Sequence, residues 1–148
     1  MLIACESALP ADIMVCAAAV SDWRANKVSQ SKLKKNGAHQ NVLKLTLNPD
    51  ILATLSKPSK KRPSLVVGFA AETDNIIAHA TKKRTLKGCD WILANDISNR
   101  NNTFGSEDNT INLITADGVE NWPKMTKPQV AEKLALRIAD AIDQLAKG

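Results

Sequence analysis

The sequence predicts an α/β fold, a mainly parallel sheet with helices on both faces, and three observations carry that prediction. Continuous apolar runs of strand length recur at "IMVCAAAV", "SLVVGFA" and "DWILAND", the pattern of strands covered on both sides. Segments of helical period stand between or after them. Strand and helix alternate along the chain, and a helix in each crossover returns the next strand parallel to the last. The chain has 148 residues, enough for one core and one domain.

Taken in order, "LIACESAL" at 2–9 predicts a short helix that Pro10 ends. "IMVCAAAV" at 13–20 reads as a central strand. Residues 21–41 are polar and basic without a clear period, so they predict a long loop of the kind that binds something. "VLKLTL" at 42–47 alternates as a half-buried strand does. Asn48 then reads as an N-cap and Pro49 as the first residue of a helix, with Asp50 in its first turn. A basic turn, "KPSKKRP", leads to the buried strand "SLVVGFA".

Glu72, Thr73 and Asp74 introduce a helix to about Lys87, with Ile76, Ile77 and Ala80 on one face. The strand "DWILAND" ends in the asparagine-rich "SNRNNTFGSEDN", and "TINLITADG" reads as one more strand and a turn. Thr126 and Gln129 have capping-box spacing, Pro128 falls early in the helix, and Val130, Leu134, Ile138, Ile142 and Leu145 make one apolar stripe.

Composition narrows the function. No apolar run approaches the roughly 20 residues that cross a bilayer, and no leader of signal type is evident, so a cytoplasmic protein without a membrane partner is expected. Cys5, Cys16 and Cys89 are odd in number and never form a C-x-x-C pair; buried small hydrophobes, rather than disulfides or zinc ligands, are the expected role. The net charge of +5 points to an anionic partner. Tyrosine is absent, and the two phenylalanines and three tryptophans are isolated, which argues against a base-stacking nucleic-acid surface. A phosphorylated small molecule is the better fit.

In open α/β sheets, ligands bind outside the carboxyl ends of the strands. Asp22, "GFAAET" and "NDIS" follow strands there. A carboxylate at Asp22 can accept from a sugar hydroxyl or simply cap a turn. Lys32, Lys34 and Lys35 can neutralise a polyphosphate or form a solvated charge run. "NPDI" offers free helix N–H groups to an anion, or only a cap. Phe69 can lie against a flat base or sit in the core. Lys83 and Lys87, four apart, can reach one anion from one helical face. No glycine-rich dinucleotide fingerprint, P-loop or nucleophile-elbow motif occurs, which disfavours a dinucleotide-dependent oxidoreductase.

The ordered series "AAAVSDWR", "KLKK", "LTLNPDILATL", "VVGFAAET", "KKRTLKGCDWILAND" and "TFGSEDN" resembles bacterial phosphopantothenoylcysteine synthetases, also called phosphopantothenate–cysteine ligases. These form the C-terminal half of the bifunctional coenzyme A biosynthesis protein, and the resemblance covers nearly the whole chain. It implies a Rossmann-like α/β domain and a CTP-dependent ligation of 4′-phosphopantothenate with cysteine through an acyl-cytidylate. It also implies Lys32 as the catalytic lysine, which would contact the nucleotide together with Cys16, Ala17, Ala18, Asp22, Pro49, Asp50, Ile51, Leu52, Phe69, Lys83 and Lys87. Mg²⁺ is implied as the counter-ion of the triphosphate, with its protein ligands unassigned. A homodimer is implied too, with "NNTFGSEDN" and "TINLIT" near its interface.

One departure stands out. The family's first strand and helix, with an asparagine stretch of "SNxSSGxMG" type, has no counterpart here, nor has the flavin-dependent decarboxylase half. Residues 1–148 are therefore expected to be a single, truncated synthetase domain without flavin. Its partner would be the missing N-terminal half, and its own activity is left open. The runner-up expectation is a nucleotide-binding, non-catalytic module or partner subunit.

Overall fold

The computed structural model describes residues 1–31, 42–98 and 108–145. In chain order the elements are α1 (Leu2–Ser7), β1 (Ile13–Cys16), β2 (Trp23–Ala25), β3 (Leu45–Leu47), α2 (Ile51–Ser56), β4 (Leu65–Glu72) and α3 (Ile76–Lys87). There follow β5 (Trp91–Asp96), β6 (Asp108–Asn109), β7 (Ile111–Ile114), β8 (Val119–Asn121), β9 (Met125–Thr126) and α4 (Lys127–Leu145).

Five strands form the main sheet in the order β1-β4-β5-β7-β8. β1, β4 and β5 are parallel, β7 is antiparallel to β5, and β8 is antiparallel to β7. Four of the five therefore point the same way, the mainly parallel α/β, Rossmann-like arrangement expected. Alternation along β4 and β5 sends Leu65, Val67, Trp91 and Leu93 to one face, where Val130, Leu134 and Ile138 of α4 cover them. Val66, Ala70, Ile92 and Ala94 go to the other face, under Ala80 and Ile76 of α3 and Leu52 of α2. Each large apolar side chain so buried contributes about 1.5–3 kcal/mol. The α4 stripe forms through Val130, Leu134, Ile138 and Ile142, with Ala141 packed beside it, and the Leu145 side chain lies outside the described ones.

Gly68 lets α2 lie close to the sheet. A Cβ there would stand 2.5 Å from Leu52 Cδ2 and 3.0 Å from Ile92 Cδ1. The capping box at α4 is present: Thr126 N–H donates to Gln129 Oε1 at 2.9 Å, and Gln129 N–H to Thr126 Oγ1 at 3.4 Å.

Several expectations require correction. "IMVCAAAV" is strand only over Ile13–Cys16, and it lies at the sheet edge with Val15 exposed. The run of small apolar residues after it lines a cleft instead of continuing the ladder. The 21–41 stretch includes a strand, β2, which pairs antiparallel with β3. In β3, Leu45 and Leu47 are exposed and Thr46 is half-buried, the reverse of the expected alternation. The β2–β3 ribbon stands apart from the main sheet, so its apolar face has no sheet core to join. The helix after "NP" begins at Ile51 with Asp50, not Asn48, as N-cap. Ile77 is exposed, a quarter-turn from the Ile76–Ala80 face. The "TINLITADG" segment, by contrast, is the expected strand and turn: β7 and the turn that leads into β8.

Candidate nucleotide cleft

The segment that follows β1 runs along one side of a cleft of about 850 Å³, and the start of α2 forms the facing side. Cys16, Ala17, Ala18 and Asp22 come from the first segment, and Pro49, Asp50, Ile51 and Leu52 from the second. Phe69 enters from β4, and Lys83 and Lys87 from α3. Eleven of the residues singled out in the sequence thus line one cleft. Lys32, with Lys34 and Lys35, lies outside the described residues.

Parallel pairing accounts for much of this convergence. Cys16, the last residue of β1, is opposite Gly68, and Phe69 follows one step on, so the end of β1 meets the middle of β4 at the cleft. Phe69 also packs against the α4-side core, so its ring borders both core and cleft. "NDIS" behaves differently. Asn95 and Asp96 do not line the cleft. Asn95 Nδ2 donates to Asn109 Oδ1 at 3.1 Å, and Asp96 Oδ1 accepts from Ser98 N–H at 2.9 Å, so these side chains hold the end of β5.

Asp50 is the most engaged acid of the cleft. Its Oδ1 accepts the Ala53 N–H at 2.9 Å, and its Oδ2 pairs with Lys87 Nζ. The anion position expected at the start of α2 is thereby partly filled by the chain's own carboxylate. Burial pushes the Asp50 carboxyl up, but hydrogen bonds from Lys87 and from Ala53, with the Lys87 and Lys83 charges, hold it below its ordinary value. Burial likewise pushes the Cys16 thiol up, with Cys5 and Asp50 adding to the effect. Only Cys89 is fully buried; Cys5 and Cys16 are half-buried and line the cleft, a correction to their expected role in the core.

Asn48 and Trp23 contribute in ways the sequence did not signal. Asn48 Nδ2 donates to Ser21 O at 2.7 Å, Asn48 N–H to Asp22 O at 2.8 Å, and Arg24 Nη1 to Asn48 Oδ1 at 3.0 Å. These bonds fasten the segment carrying Asp22 to the start of α2, which is why Asn48 is not free to cap the helix. Trp23, half exposed, and its cross-strand partner Leu47 extend the apolar lining. Their long-range pairing leaves no local signature. A smaller pocket of about 280 Å³ adjoins, sharing Val20, Ser21, Asn48, Pro49 and Ile51 with the cleft.

The cleft offers apolar walls, one aromatic ring on its core side, two lysines on one helical face, and carboxylates on both flanks. Such a lining can take a flat heterocycle, hydroxyl groups and phosphate together.

Comparison with known proteins gives a consistent result. Residues 1–142 match the family model described as DNA/pantothenate metabolism flavoprotein C-terminal domain. The chain is 37% identical over 135 residues to the coenzyme A biosynthesis bifunctional protein CoaBC of Escherichia coli K12, covering 90% of this chain and 33% of that protein. It is 35% identical over 135 residues to CoaBC of Haemophilus influenzae, covering 91% and 33%. The chain therefore spans about a third of the length of these curated relatives. A crystal structure of the C-terminal domain of CoaBC superposes with a TM-score of 0.66 at 31% identity, covering 90% of this chain and 56% of that one. A Cab2 mutant, solved in complex with phosphopantothenate-cysteine, shares the fold at TM-score 0.64 and 14% identity.

Proposed function

Because the chain belongs to the family of DNA/pantothenate metabolism flavoprotein C-terminal domains, we propose that it serves the phosphopantothenate–cysteine ligase step of coenzyme A synthesis. The substrates would be CTP, 4′-phosphopantothenate and cysteine. In the first half-reaction a carboxylate oxygen of 4′-phosphopantothenate attacks the α-phosphorus of CTP and expels pyrophosphate. In the second, the amine of cysteine attacks the acyl carbon and CMP leaves with the bonding pair. The observation that carries this reading is the convergence of Asp22, Asp50, Phe69, Lys83 and Lys87 on one cleft.

Asp22 would accept from the ribose, as an acid beside an otherwise apolar wall can. Phe69 would flank the nucleotide, and the two α3 lysines would hold its phosphates. Lys32 would steady the charge that grows on the transferring phosphoryl group. Mg²⁺ supplies charge neutralisation when bound with a triphosphate. Among the described residues no group of three His, Cys, Asp or Glu side chains is placed to hold a metal; the ion would enter with the nucleotide because Mg²⁺ is commonly held by substrate phosphates with one or two carboxylates. No described helix is long and apolar enough to cross a membrane; a cytoplasmic location is part of the proposal.

The domain would act as a homodimer, in association with the N-terminal half its relatives carry. Ile111, Leu113 and Ile114 of "TINLIT" are buried within this chain's own core, and residues 99–107 lie outside the described ones. The exposed apolar side chains Val42, Leu43, Leu45 and Leu47 beside and on β3 support self-association through the ribbon. Sedimentation equilibrium should return twice the chain mass; a monomer at every concentration would remove the dimer.

The test of function is pyrophosphate release by the purified chain with CTP, Mg²⁺, 4′-phosphopantothenate and cysteine, beside Lys32→Ala. Release that requires 4′-phosphopantothenate and disappears in the variant, with circular dichroism unchanged, is the expected result. CTP binding without release would favour a non-catalytic nucleotide module. No CTP binding at all would sink the reading.

A further inference from the structure

We propose that Asp50 acts on the bound nucleotide through Lys87, as a positioning residue that fixes the lysine, and not as a direct ligand of the nucleotide. The inference rests on the nucleotide reading of the cleft and assigns that site an internal part.

Both oxygens of this carboxylate are already committed within the chain. Oδ1 takes the Ala53 N–H in the first turn of α2, and Oδ2 takes the Lys87 ammonium from the last turn of α3. One side chain thus pins two helices and one cation at the cleft wall. An ammonium has three donors, so the bond to Asp50 leaves two for an incoming phosphate. A free lysine must give up much rotamer freedom to make such a contact; a lysine held by a capping carboxylate has lost that freedom before the ligand arrives.

The arrangement also tempers the charge. Lys83, Lys87 and Asp50 together present one net positive charge, which favours phosphate but does not leave two unscreened cations facing each other across a helical turn. Asp50 itself carries no donor when ionised and would repel a phosphate at contact distance, which is a reason to place its action one step back.

Asn at an N-cap serves as well as Asp, so Asp50→Asn keeps the cap and removes the ion pair, while Asp50→Ala removes both. CTP with Mg²⁺, titrated calorimetrically into the unsubstituted chain, Asp50→Asn, Lys87→Ala and the double variant, separates the roles. The expected result is a roughly three- to tenfold weaker affinity in Asp50→Asn. Thermal stability should stay close to that of the unsubstituted chain, and the double variant should be no weaker than Lys87→Ala. An unchanged or tighter affinity in Asp50→Asn, or two losses that simply multiply in the double variant, would overturn the positioning role alone. Absence of CTP binding by the unsubstituted chain would overturn both this role and the nucleotide reading.

Discussion

Two acid–cation pairs stand at different places in this molecule, and they are built differently. Asp50 and Lys87 meet at the cleft through a single carboxylate oxygen, and the neighbouring Lys83 faces the same space. Arg62 and Asp90 meet where β4 and β5 begin, and there all three guanidinium nitrogens donate within the chain. Arg62 Nη2 reaches both Asp90 oxygens at 3.0 and 2.9 Å, Nε reaches Ser56 O at 2.9 Å, and Nη1 reaches Pro63 O at 2.8 Å. Asp90 Oδ2 also accepts the Val66 N–H at 2.7 Å. One pair is a closed clamp joining α2, β4 and the start of β5; the other keeps donors in reserve. The contrast sets a saturated guanidinium–carboxylate pair, suited to stability, against an ammonium–carboxylate pair whose remaining donors suit the proposed binding role.

The comparison breaks most readily at the clamp. Arg62→Met retains the aliphatic stem but leaves Asp90, Ser56 O and Pro63 O without their shared donor, and unmet groups of that kind cost about 2–3 kcal/mol. The midpoint of urea unfolding should fall accordingly, while the CTP affinity of the folded protein stays where it was. A midpoint within error of the unsubstituted chain would show that water replaces the guanidinium without loss, and the clamp would then be ornament to the fold.

Legibility in the sequence follows the same division. The strands of the sheet interior, β4 and β5, and the α4 stripe were readable because local period and burial agree there. Edge and ribbon elements were not. β1 is shorter than its apolar run because Ala17 to Ala19 are spent on the cleft wall, and β2–β3 depends on a pairing between residues some twenty positions apart. In the cleft, the acids and lysines announced themselves as residue types at strand and helix ends. Their partnership did not: nothing local indicates that Asp50 will meet Lys87, since only the packing of α2 on α3 brings them together. Arg62 and Asp90 were hidden for the same reason, one inside a basic turn that reads as solvated charge and the other as the polar end of a strand.

Gly68 links the two regions and gives the smaller effect. It lies in β4 between the clamp end and the cleft end of the sheet, and its missing Cβ is the space that Leu52 occupies. In Gly68→Ala the added methyl must displace the tip of Leu52, a flexible side chain, so overpacking should be modest, about 1 kcal/mol, and partly offset by the lower chain entropy of alanine when unfolded. Leu52 lines the cleft, and its displacement is the consequence that matters. The unfolding midpoint should move less than in Arg62→Met, whereas CTP affinity should drop several-fold, the opposite ranking on the two measurements. If Gly68→Ala instead lowers stability as much as Arg62→Met and leaves affinity unchanged, α2 yields as a body, and the close approach at Gly68 serves the fold without shaping the cleft.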